Sequence, residues 1–177
     1  AALAELAATM IDGSPDDPVL DHPTLPAGYT YLGQFIDHDL TFDTSSLSST
    51  PAQPGQVVSH RTPRLDLDSL YGRGPAVDRF LYDQRGSVGL LMALGANPGG
   101  FPPKRNDLPR TVDGVALVGD PRNDENLAVS QTHVAFLKFH NEVVGHLTPL
   151  GLQAPTLFEA SRQVVRLHYQ WIVLHDF

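Results

Sequence analysis

Two long runs of helix-period hydrophobic residues do most to limit what this chain can become. Across residues 126–147 the apolar side chains Leu127, Val134, Leu137, Phe139, Val143, Val144 and Leu147 recur at helical spacing. A second run begins at Thr156 and continues through Val164, Val165, Leu167, Trp171 and Ile172. Its first residues, Thr156-Leu157-Phe158-Glu159, read as a capping box. A third helix is expected from Tyr29 to about Thr41, where Tyr31, Leu32, Phe35, Ile36 and Leu40 share the same period. A short Ala- and Leu-rich helix is expected at residues 2–11, ending before Gly13.

Between these segments the sequence predicts long connections. Pro15, Pro18, Pro23 and Pro26 make residues 14–28 an extended entry loop, and residues 44–56 read as a flexible surface loop. Residues 62–72 alternate polar and apolar, which suits a short strand or a loop that aims its oxygens one way. Residues 75–83 suit one or two helical turns, and 85–121 read mainly as loop punctuated by Gly and Pro. No internal repeat is visible. The expectation is a mainly α fold with long loops and little or no β, in a chain of one domain's length at 177 residues.

Composition excludes several functions. A net charge of −8 leaves no basic face for nucleic acid. No cysteine is present, which removes disulfides, thiolate metal sites and cysteine nucleophiles. The first ten residues lack a basic start and carry Glu5, so they do not read as a signal peptide. No apolar run approaches membrane-spanning length, so no transmembrane segment is expected. The last residues, Ile172 to Phe177, carry no Gly, Asn or Pro stop signal, which predicts a chain truncated within a helix.

Three segments carry possible chemistry. On a helix, Gln34 and His38 share a face and Asp37 lies beside it, three residues from Gln34. Asp39 points about 100° away from His38. One short helix could thus present a base to one site and a carboxylate to another; an N-cap or surface cluster is the plainer alternative. In an extended strand, Thr62, Arg64, Asp66 and Asp68 would fall on one side. Joined by Asp39, they would suit calcium, which takes six to eight oxygens, although a solvated edge strand would look the same. Arg122 and Glu125 precede the strongest helix. Helix-start chemistry explains Asp120, Asn123, Asp124 and Glu125, but a cation there is disfavoured, which points to something anionic beside Arg122. His133 and His140, like His168 and His175, are seven apart; two histidines alone make a poor metal site. His140-Asn141 reads as helix packing, and His22, His60 and His146 carry no evident role.

Taken together, Leu32-Gly33-Gln34-Phe35-Ile36-Asp37-His38-Asp39-Leu40, the loop Thr62–Gly72, and Gly119–Glu125 followed by His133 and His140-Asn141-Glu142 resemble the animal-type haem peroxidases of the peroxidase–cyclooxygenase superfamily. The resemblance covers most of residues 24–177 in the family's order, and the lack of cysteine suits a bacterial member. It implies the family's helical fold, of which residues 1–177 would be the distal, N-terminal portion. It implies haem b as cofactor, with calcium, and hydrogen peroxide and a small halide or phenolic electron donor as partners. His38 would be the distal histidine that takes a proton from peroxide, Gln34 a hydrogen-bonding neighbour, and Arg122 the arginine that stabilises the departing oxygen.

Asp37 and Glu125 match carboxylates that form ester links to haem. Asp39, Thr62, Arg64 (through its carbonyl), Asp66 and Asp68 match the calcium ligands. Asn126 stands where a methionine would be needed for a sulfonium link, so none is expected; Asp68 stands where several relatives have serine. None of the eight histidines matches the family's proximal motif. The ligand of the iron would then lie in a further C-terminal portion, in this polypeptide or a separate one, and this segment alone would not be a competent peroxidase. The resemblance implies a secreted or extracytoplasmic setting. A fatty-acid dioxygenase of the same superfamily and a non-catalytic calcium-binding structural module remain the alternatives.

Overall fold

The computed structural model describes residues 2–9, 22–44, 58–83, 91–95 and 106–177. Its helices are α1 (Ala2–Thr9), α2 (Gly28–Leu40), α3 (Asp68–Tyr71), α4 (Leu127–Leu147) and α5 (Ala154–His175), with short 3-10 turns at Arg79–Leu81, Pro121–Asp124 and Thr148–Leu150. Among the described residues there is no strand, only isolated bridges at Tyr82–Met92, Gly95–Asp107 and Arg110–Ala116. The mainly helical expectation is met. The loop expected at residues 44–56 and the entry loop before residue 22 lie almost wholly outside the described residues. No described helix is long and apolar enough to cross a membrane.

Helix α4 is the structural axis. It buries Val129, His133, Val134, Phe136, Leu137, His140, Val143 and Val144, an apolar face too broad for one neighbour. It packs against α2 on one side and α5 on the other. The turn between α4 and α5 closes at Gly151, whose φ of 69° suits a residue without Cβ. Phe35 of α2 is fully buried where the three helices meet. Its ring stacks on Phe136 at 5.3 Å and meets Tyr169 edge-on at 6.1 Å. A second aromatic group joins Tyr71, His140, Phe158 and Tyr82, with the Tyr82 hydroxyl donating to the Tyr71 carbonyl at 2.7 Å.

Two local expectations are corrected. Helix α5 starts at Ala154, with Gln153 as its N-cap and no side-chain cap bond. Pro155 supplies the first-turn geometry, so Thr156 lies inside the helix and the capping box does not form. Residues 62–68 are not an extended strand with one oxygen-bearing side. Leu65 and Leu67 adopt φ of 52° and 58°, left-handed values that fold the segment into a tight loop before α3. The alternative reading, a loop gathering oxygens, is the one the fold adopts.

Replacing Phe35 with alanine should cost about 3–5 kcal/mol, the usual range for emptying a buried aromatic site. Urea unfolding of the two proteins measures it; a change below 1 kcal/mol would mean that the three-helix junction does not depend on this ring.

Candidate functional site

Helix α2 ends over the 3-10 turn Pro121–Asp124, and this crossing brings the distant sequence motifs together. Asp120, fully buried, caps the turn by accepting from the Arg122 backbone N–H at 3.0 Å. The same carboxylate accepts from Arg122 Nε at 3.1 Å and Nη2 at 2.8 Å, and from Arg61 Nη2 at 2.7 Å. Burial opposes its ionisation, but the bonds from Arg122 and Arg61 outweigh that and hold Asp120 below the usual carboxylate range. Both guanidiniums lie over the Phe42 ring, at 4.9 and 5.1 Å. The anion that the sequence demanded beside Arg122 is therefore the chain's own Asp120. Arg61, which the sequence reading passed over, is its second partner.

Arg122 Nη2 also reaches the backbone carbonyls of His38, at 3.2 Å, and Thr41. This ties the arginine to the end of α2. His38 is buried, with Nδ1 2.8 Å from Asn123 Oδ1. Asn123 Nδ2 lies 2.9 Å from Nδ1 of His133 on α4. His133 is deeply buried, and burial pushes it down to about 4 against the weaker pull of Asp120 and Asp124, so it is neutral at ordinary pH. One helical turn before His38, Gln34 donates to Glu125 Oε2 at 3.0 Å and accepts from Asn126 Nδ2 at 3.0 Å. Asn126 also caps α4, its Oδ1 accepting from Val129 N–H. Asp37 is exposed and accepts from the Thr41 hydroxyl at 3.2 Å. Gln34, His38, Arg122 and Glu125 thus converge, with Asp37 beside them on α2.

Asp39, next along α2, serves a second cluster. It is fully buried and accepts from the Leu67 N–H at 3.1 Å. Ligand oxygens of Asp39, Asp66 and Asp68 lie within 4.8 Å of one another, and Oδ1 of each has no hydrogen-bond partner. Burial, with the neighbouring charges of Asp68 and Asp66, pushes Asp39 up to about 6; burial likewise raises Asp68, against the pull of Arg61. Arg61 Nε stands 3.4 Å from Asp68 Oδ1, an ion pair without hydrogen-bond alignment.

Thr62 joins the cluster through its hydroxyl, which donates to Asp66 Oδ2 at 2.8 Å. The Arg64 carbonyl instead accepts from Gln170 Nε2 of α5 at 3.1 Å. Three of the five expected oxygen groups are therefore gathered directly, one through Asp66, and the fifth is engaged by α5. Orphaned carboxylate oxygens of one sign are a donor set that fits a hard divalent cation.

His140, His168 and His175 make contacts within the fold. His140 packs with Tyr71, whose hydroxyl is 3.1 Å from its Nδ1, and Asn141 pairs with both backbone groups of Met92. His168 and His175 approach the carbonyls four residues back in α5.

A family model described as animal haem peroxidase matches residues 10–177. Thyroid peroxidase of Mus musculus is 27% identical over 144 residues, which is 71% of this chain and 15% of that protein. Thyroid peroxidases of Sus scrofa and Homo sapiens are 28% and 26% identical over 142 and 143 residues, with the same coverage. The chain thus spans about 15% of the length of these relatives. No solved structure matches.

The acid cluster makes stability depend on pH. Asp39 binds its proton more tightly folded (about 6) than unfolded (3.8), so its contribution is complete below 3.8 and is lost as pH rises through about 6. His133 titrates in an overlapping window with the opposite sign, so the Asp39→Asn variant is needed as reference. Without divalent cations, wild type should lose on the order of 2–3 kcal/mol relative to that variant between pH 4 and 7. Unfolding midpoints across that range check it, and a flat difference would remove Asp39 as the source.

Proposed function

The chain belongs to the animal haem peroxidase family, and on that footing we propose that it forms the peroxide-cleaving side of a haem peroxidase. The observation that carries this reading is the convergence of His38 with Arg122, 84 residues away in sequence, beside the Gln34–Glu125 contact. Haem, when bound, supplies a redox-active iron. Asp37 and Glu125, both exposed carboxylates at this site, are the residues that would hold it, as ester-linked side chains in the fuller form of the proposal.

His38 acts as general base. It takes a proton from peroxide and delivers it to the departing oxygen. Arg122, fixed by Asp120 and two backbone carbonyls, places its positive charge where negative charge develops as the O–O bond breaks, without reorganising at that moment. Gln34, held between Glu125 and Asn126, offers a further polar contact to the oxygens. Halides or small phenols would be the electron donors in this reading, and polypeptide outside these residues would complete the hold on the haem. His133 and His140 are committed to core hydrogen bonds.

Calcium belongs to the same proposal. Asp39, Asp66 and Asp68, with Thr62 and the Arg64 carbonyl, would hold it and relieve the repulsion among their orphaned oxygens. The cation would tie α2 to the loop before α3. A purely structural calcium module accounts for that cluster but not for the His38–Asn123 and Arg122–Asp120 arrangement at the other end of α2.

Two measurements test the proposal. In the haem-loaded protein completed by the polypeptide that finishes the haem site, His38→Ala should slow peroxide consumption roughly 10²–10⁴-fold, the usual contribution of a general base. Peroxide consumption that ignores both His38→Ala and Arg122→Ala would defeat the peroxidase reading. Separately, saturating calcium should raise the melting temperature of wild type and leave Asp39→Asn almost unmoved. Equal shifts in the two proteins would place the cation elsewhere.

A further inference from the structure

Asn123 is fully buried on the 3-10 turn and stands between two imidazoles, each approached through Nδ1. An amide has an oxygen that can only accept and a nitrogen that can only donate. Set between two Nδ1 atoms, it cannot treat them alike. Oδ1 at 2.8 Å requires a hydrogen on Nδ1 of His38; Nδ2 at 2.9 Å requires a lone pair on Nδ1 of His133. Neutral His38 then keeps its lone pair on Nε2, and neutral His133 carries its hydrogen on Nε2. Among the described hydrogen bonds none engages Nε2 of His38.

The amide is well placed to impose this order. Its backbone N–H donates to the Asp120 carbonyl at 3.0 Å. The next residue, Asp124, is gripped by Arg110 at 2.7 and 2.8 Å, which pins the far end of the turn. His133, neutral and enclosed beside Phe35, holds its ring in place against the amide.

We propose that Asn123 is a positioning residue that locks His38 in the Nδ1–H tautomer, with His133 as its anchor, so that Nε2 is the free basic atom. The role in peroxide chemistry rests on the peroxidase reading; the lock itself does not. A histidine held in the other tautomer would present an N–H where a base is needed, and proton removal would stop.

The test uses the full chain with ¹⁵N-labelled histidine. Long-range ¹H–¹⁵N correlation spectra, recorded above the imidazole titration range, report which ring nitrogen carries hydrogen; His38→Gln and His133→Gln assign the signals. Wild type should show opposite tautomers, Nδ1–H for His38 and Nε2–H for His133. In Asn123→Asp both carboxylate oxygens accept, so His133 should switch to Nδ1–H while His38 keeps its form. Asn123→Leu should leave His38 a mixture of tautomers; if that variant fails to fold, the His133 switch in Asn123→Asp decides alone.

In the haem-loaded protein completed by the polypeptide that finishes the haem site, kcat/KM for peroxide should fall in Asn123→Leu with the fraction of His38 that leaves the Nδ1–H form, roughly two- to tenfold. Nε2–H on His38 in wild type, or a His38 tautomer indifferent to Asn123→Leu, overturns the lock and leaves the peroxidase reading intact. Opposite tautomers together with peroxide consumption indifferent to His38 would sink the peroxidase reading and leave the lock.

Discussion

The buried carboxylate of Asp120 is the interaction on which both sites depend. It accepts from two arginines that reach in different directions, Arg122 toward the end of α2 and Arg61 toward Asp68. Its charge is out of water, so it persists only because several donors converge on it. Close packing reinforces that arrangement: a Cβ on neighbouring Gly119 would stand 2.5 Å from the Ser69 carbonyl oxygen, so the turn lies directly against α3. Arg122 and the acidic loop are therefore parts of one electrostatic unit, linked through a single side chain.

Helix α2 joins the same parts mechanically. His38 and Asp39 are consecutive, and the helical angle between them sends one toward Asn123 and the other toward Leu67. Anything that draws the acid loop inward acts on the helix that carries His38. A cation among Asp39, Asp66 and Asp68 would in this way stiffen the neighbouring site without touching it.

Much of this was legible in the sequence. The 3.6-residue period gave α2, α4 and α5 nearly to the residue, and the adjacent placement of His38 and Asp39 gave two sites on one helix. The readings that failed have physical causes. The two-residue alternation at 62–68 assumed extended backbone, and two leucines in left-handed conformation cannot be foreseen from residue type. The capping box lost to Pro155, which moved the helix start upstream. The anion expected beside Arg122 is Asp120, two residues away, which had been read only for its helix-start character. Asn123 was read only as a helix-start residue because its partners, His38 and His133, are 85 and 10 residues distant and meet only when α2 crosses the turn.

Asn126 shows how one amide can hide a second duty. Its oxygen caps α4 while its nitrogen holds Gln34. Aspartate is an equally good cap by helix statistics and would leave α4 undisturbed. It would nevertheless have no hydrogen to give Gln34, and it would add a second anion beside Glu125. Variation at this position is thus silent to the folded scaffold and audible only at the pocket, so tolerance in a stability screen says nothing about tolerance in use.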